Sequence, residues 1–201
     1  MTDTWLLTNV WFSLLAWTVI AVSDYYLTLY SARLYHTTLK THVVLQGSFE
    51  LTPAFQSDID AQRRWSPRFL RAIAATNAAM LLIWVIAVLL LGMPAVFAFM
   101  MGGLILRSLT VHLRHLRNIA LARFTRSGEG VGGKVEYARW LTLRLSAVEL
   151  LSVAGLFGLL ALAGGGWAVF GGAAFNLITG LQHWAMSDQA RQRTAAASPA
   201  A

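Results

Sequence analysis

Arg107, His112, Arg114 and Glu149 are the side chains whose types and spacing best suit binding chemistry in this chain. Three of them lie in Arg107-Ser-Leu-Thr-Val-His-Leu-Arg-His-Leu-Arg-Asn118, which continues without a helix breaker from the apolar run Pro94–Leu106. A guanidinium is a planar fork of donors that matches phosphate and carboxylate and is only weakly hydrated. Several of them near a desolvated surface are expected to form a basic, cytoplasm-facing pocket for an anionic ligand or a lipid head group. The alternative is a small oligomeric transporter or channel, with Arg107, Glu149 and Asn176 along its path. A third reading is a membrane-embedded enzyme using His112, His115 and Glu149 or Asp24. No catalytic residue, metal or resident cofactor is assigned.

Helix rise supports bringing these residues together. Arg107 is thirteen residues after Pro94, roughly 20 Å along a helix, in a hydrocarbon core about 30 Å thick. Glu149 is nine residues after Trp140, roughly 13 Å in from the opposite helix end. The two levels match, so Arg107 is expected to pair with Glu149, or Arg144 to do so. A lone ionised group at that depth costs at least about 3 kcal/mol. An arginine can snorkel to the surface, whereas the short stem of Glu149 makes this harder. Asp24 lies beside Tyr25 and Tyr26 and is expected at the interface, capped by water or an arginine, with membership of the charged cluster as the alternative.

Other motifs carry less. His112 and His115 share a helix face at a spacing of three, but the flanking Arg114 and Arg117 repel a metal cation. Gly128 to Lys134 fits the letters of a phosphate-cradling loop, yet Val135 stands where a magnesium-binding Ser or Thr is required, and no strand precedes it. A flexible hinge explains those glycines better. Gly172, Asn176 and Gly180 form a small-residue stripe that Ala168 extends, and Gly155 with Gly158 makes a similar notch. Small residues let membrane helices approach closely and Asn bonds across them. Packing within the chain is expected, and a homo-oligomer interface is the other use of the stripe. Asn77 is read as a further structural polar residue in the membrane.

The elements that must position these groups follow from composition. The chain has 201 residues, 57% hydrophobic and 12% charged, against about a quarter charged in a soluble domain. Cysteine is absent, which excludes disulfides and thiolate chemistry. The expected fold is an all-α integral membrane bundle of about five helices, a single domain over 1–190. Its spans fall near 5–26, 69–91, 94–118, 140–163 and 167–186, and a disordered tail covers 191–201. The first span is expected to continue as helix to about Tyr35. Ser66-Pro67 suits a helix start. Asp58–Arg64 reads as one exposed amphipathic turn or two. The Gly47–Phe55 loop is expected to pack under the bundle or rest on head groups, with Glu50 reaching an arginine of Arg107–Arg126. The N-terminus lacks the basic region and cleavage site of a signal peptide.

Charge placement predicts the orientation. Every Lys and Arg lies within Arg33–Arg71, within Arg107–Arg144, or at Arg191 and Arg193. The turns at Gly92–Pro94 and Gly164–Gly166 carry none. The positive-inside rule then puts both long loops and the C-terminus in the cytoplasm and the N-terminus outside. The net charge of +7 is assigned to attraction for anionic lipids of the bilayer, not to nucleic acid. The expected location is a bacterial inner (plasma) membrane.

Overall fold

The structure, a computed structural model, describes residues 9–128 and 132–197. Its long elements are helices, and each begins or ends at a local signal. Helix α1 (Val10–Thr37) is capped by Asn9, whose side chain accepts the Phe12 amide at 3.1 Å. A short 3-10 turn, Leu39–Thr41, and the three-residue strand β1 (Val43–Leu45) follow, then the one-turn helix α2 (Gln56–Asp60). Helix α3 (Pro67–Trp84) starts as its sequence predicts, with proline in the first turn and Ser66 Oγ accepting the Phe69 amide at 3.1 Å. It continues as a π-helical stretch, Val85–Leu90, and turns at Gly92, whose φ of +64° suits a residue without a Cβ. Helix α4 (Pro94–Arg126) then runs unbroken through the whole Arg107–Asn118 segment.

Strand β2 (Val135–Tyr137) leads into helix α5 (Arg139–Leu160). A wide turn, Ala161–Gly165, with Gly164 at φ +102°, folds the chain back into helix α6 (Gly166–Ala197). The expected all-α membrane bundle is what the chain forms. Among the described residues five helices are long, and four helical stretches are long and apolar enough to cross a membrane. The fourth of these, Arg139–Ala196, comprises both α5 and α6, folded on each other at the glycine turn. Large apolar side chains such as Leu89, Leu90, Leu113 and Leu159 stand on the outside, as lipid contact requires. Helix α6 continues through residues 191–197, beyond the polar Ser187, Asp188 and Gln189 that end its apolar stretch. The tail beyond 197, residues 5–8 of the first expected span, and positions 129–131 of the glycine loop lie outside the described residues.

The bundle packs in two places. Val10, Trp17 and Ala21 of α1 meet Met80 of α3 and Phe97 and Met101 of α4 in an apolar core. At the other end of α1, Tyr25, Leu29 and Ala32 close on Ile59 of α2, with Phe49, Phe55 and Phe69 around them. This second cluster is how the Gly47–Phe55 loop packs under the bundle. Strands β1 and β2 pair in parallel, Val43 with Val135 and Leu45 with Tyr137. That bridge joins the two long loops at one end of the molecule. Three-residue strands with no apolar alternation gave no signal in the sequence.

The segment 58–64 is exposed from Asp60 to Arg64, as expected, and buries Asp58 and Ile59. Asp58 is buried, accepting the Ser66 hydroxyl at 2.5 Å and pairing with Arg63 at 3.3 Å. The Tyr25 hydroxyl donates to the Arg63 carbonyl at 2.7 Å. Asp58 is turned inward because the cap of α3 needs an acceptor for its own hydroxyl proton.

Candidate functional site

Where α1, α4, α5 and α6 meet the joined loops there is a cavity of about 650 Å³. That volume lies within the range of small-molecule sites. One side is apolar and aromatic, with Tyr25, Phe49, Phe55 and Phe69 among its residues. The other carries charge: Asp24, Glu50, Arg107, Arg114, His115 and Glu149. The sequence reading named Arg107, Arg114 and Glu149 as ligand-binding, and all three line this cavity. His112 does not; it stands one shell behind, against Asp24.

The expected pairing is corrected. Glu149 is bound by Arg114, whose Nε donates to Oε2 at 2.9 Å, with Arg117 at 3.9 Å. Arg107 is not its partner. Arg107 and Arg114 are seven residues apart, two turns on one face and roughly 10 Å along the axis. Either faces α5 by periodicity, and the relative height of α4 and α5 selects Arg114. Arg144 is also engaged elsewhere. It forms an ion pair with Asp188, donates to Ser187 Oγ at 3.2 Å, and lies 3.8 Å over the Trp184 ring.

Three arginines line the cavity, Arg107, Arg114 and the more exposed Arg117, and the first two have donors to spare. Arg114 uses Nε on Glu149, while its buried Nη2 has no protein acceptor. Arg107 has no hydrogen bond or ion pair among the described residues, and the carboxylates whose charge reaches it are Asp24 first and Glu50 second. Glu50 accepts the Thr52 amide at 2.6 Å. The arginine that holds its loop is Arg139, through the Ser48 and Glu50 carbonyls at 2.7 and 3.3 Å, not one from Arg107–Arg126 as the sequence led us to expect.

Asp24 sits among histidines instead of an arginine. Its Oδ1 is 3.5 Å from His112 Nδ1 and 3.6 Å from His115 Nε2, too long for hydrogen bonds. Both donors are committed elsewhere. His112 Nδ1 faces the Ser108 carbonyl at 2.8 Å, so it must donate there, and its Nε2 meets Ser23 Oγ at 2.6 Å. Thr28 gives its hydroxyl proton to the Asp24 carbonyl at 2.8 Å, so His115 Nε2 donates to Thr28 Oγ1 at 3.0 Å. Asp24 Oδ1 is left buried and without a hydrogen bond. The His-x-x-His spacing does not converge two bare nitrogens on one point. Ser23, Thr28 and the Ser146–His183 contact at 2.7 Å were not singled out from sequence, because small hydroxyl residues in apolar helices carry no pattern of their own.

The packing residues occupy the helix interfaces. Asn77 donates to Thr18 Oγ1 at 2.8 Å, joining α3 to α1. Asn176 is fully buried, but its amide donates to the Gly172 carbonyl one turn back in its own helix and not across to a neighbour as expected. A Cβ at Gly172 would lie 2.5 Å from Leu106 of α4, and one at Gly180 would lie 2.9 Å from Leu151 of α5. Gly155 and Gly158 are different from the expected notch: nothing stands within 4 Å of a Cβ at either. The closest approach involves glycines not singled out. A Cβ at Gly171 would collide with the Phe99 carbonyl, and one at Gly102 with the Ala168 backbone. The adjacent pairs Gly102-Gly103 and Gly171-Gly172 were a legible sign of it. No protein-family model, curated protein or solved structure matches the chain.

Proposed function

We propose that this is a multi-pass membrane protein that binds an amphipathic ligand bearing an anionic group, such as an acidic lipid head group, in a cavity at its cytoplasmic end. The observation that carries the reading is the pair of guanidinium groups lining one cavity with donors the protein leaves unused. Arg107 has no direct protein partner among the described residues, and Arg114 Nη2 is buried without an acceptor. A buried donor left unsatisfied costs about 1–3 kcal/mol, which a phosphate or carboxylate oxygen offsets. The facing aromatic wall, with Phe49, Phe55 and Phe69, suits an apolar extension of the same ligand. Glu149 is already neutralised by Arg114 and does not oppose an anion. The apolar α1–α3–α4 core and the close α4–α6 contact at Gly171 favour a binding site over a pore within one subunit.

The test uses purified full-length protein in detergent and dioctanoyl phosphatidic acid, read by native mass spectrometry. Arg107→Gln and Arg114→Gln are each expected to weaken retention about tenfold, the scale of one charged hydrogen bond. Arg126→Gln, on the exposed end of α4, is the control and should change nothing. Equal retention by all three variants removes the reading.

A further inference from the structure

We infer that the ligand of this cavity is zwitterionic, with a cationic ammonium held at Asp24 and the anionic group held at Arg107 and Arg114. This rests on the anion-binding reading above and adds the second half of the head group. The cavity is not simply basic. Asp24 lines it together with the two arginines, and no hydrogen bond to its carboxylate exists among the described residues. Oδ1 is sealed against His112 and His115, whose N–H groups serve Ser108 and Thr28. The Asp24 side chain is nevertheless 26% exposed, so Oδ2 is the oxygen available to a ligand.

One further feature fits an ammonium at this point, and two fit an apolar chain carried with it. Asp24 and Arg107 feel each other's charge without reaching ion-pair distance, so two opposite charges face one space with room between them. A simple anion would satisfy Arg107 and be repelled by Asp24; a zwitterion satisfies both. The rings of Tyr25 and Phe69, stacked on each other with centroids 4.3 Å apart, line the same cavity and add to its aromatic wall. Finally, Leu39, Leu45, Phe49 and Phe55 line the cavity as well, apolar side chains that suit the chain of a lipid. The ligand class is therefore an ammonium phosphate carried on an apolar chain, as in an ethanolamine phospholipid. A soluble phospho-amine shares the head-group chemistry.

The experiment compares dioctanoyl phosphatidylethanolamine with its N-acetylated form and with dioctanoyl phosphatidylglycerol, on the intact protein in detergent. All three carry a singly charged phosphodiester, and only the first carries an ammonium. Wild type should retain the ethanolamine lipid about tenfold better than the other two, the scale of one charge-assisted contact. Asp24→Asn should abolish that preference while leaving phosphatidylglycerol binding within about twofold of wild type, whereas Arg114→Gln should weaken all three lipids. The N-acetyl comparison needs no variant, so the inference stands or falls even where Asp24→Asn does not fold. Equal wild-type binding of the three lipids overturns the zwitterion and leaves the anion site intact. Binding of none of them, nor of phosphatidic acid, overturns the anion site and this inference with it. Soluble phosphoethanolamine, added as competitor, separates the two sources. Displacement only at a large excess supports a lipid, and displacement at parity supports the zwitterion as a soluble ligand.

Discussion

The two ends of α4 meet α6 in opposite ways. Near Gly102 and Gly103, α4 lies so close to Gly171 and Gly172 that backbone touches backbone. From Arg107 onward the same helix lines a cavity shared with Thr179 and His183 of α6. Glycine accounts for the first. With no side chain on either helix, the axes approach until carbonyl meets Cα, and dispersion holds them. Long, charged side chains account for the second. Arg107 and Arg114 cannot be packed backbone to backbone, and their charge must be paired or solvated. One helix thus carries both a dry, close-packed end and a polar, open one. The contrast teaches that the cavity follows from where small residues stop as much as from where arginines start.

Site-directed labelling gives the largest contrast between the ends. Positive-inside charge predicts that a membrane-impermeant thiol reagent added outside modifies Leu162→Cys, on the exposed glycine turn, and leaves Lys134→Cys untouched. The reverse pattern would invert the proposed topology. Next comes the close-packed end itself. Gly171→Ala puts a methyl group onto the Phe99 carbonyl, and should lower stability by at least the ~1–3 kcal/mol of ordinary overpacking. A thermal melt within 1 °C of wild type, a margin of roughly 0.3 kcal/mol, would show that the helices separate at little cost.

The open end should lose less. Arg114→Leu leaves Glu149 with only the longer Arg117 contact, at a cost below the ~3–5 kcal/mol of a fully buried pair, because both side chains keep some exposure. Adding Glu149→Leu should recover about 1 kcal/mol or more, whereas Arg107→Leu with Glu149→Leu should be additive within about 0.5 kcal/mol. Coupling through Arg107 instead of Arg114 would contradict the geometry. The smallest effect has the opposite sign. Gly155→Ala faces open space on α5 and should stabilise by up to about 1 kcal/mol through helix propensity. Destabilisation there would reveal a partner surface, such as a second copy of the chain, on the face that Gly155 and Gly158 share.

Much of this molecule is local, and the local part was legible. Apolar runs longer than the bilayer demands, Ser66-Pro67 before a helix, and the glycine turns after Leu91 and Ala163 are each read within a few residues of themselves. The gathering of Arg107, Arg114 and Glu149 was also legible, because helix rise turns sequence position into depth. Rise does not say how far one helix is shifted or rotated against the next. An offset of two turns, roughly 10 Å, decides whether Glu149 meets Arg107 or Arg114, and both satisfy the periodicity. The same uncertainty of rotation hid the outward aim of Gly155 and Gly158 and the inward aim of Asp58. Nor does any local pattern announce that Val43–Leu45 will pair with Val135–Tyr137 across ninety residues. The sequence by itself determined the helices and their turns. Only the tertiary structure decided which charge has a partner and which faces the cavity without one, because that depends on the mutual rotation and height of helices that touch through side chains far apart in the chain.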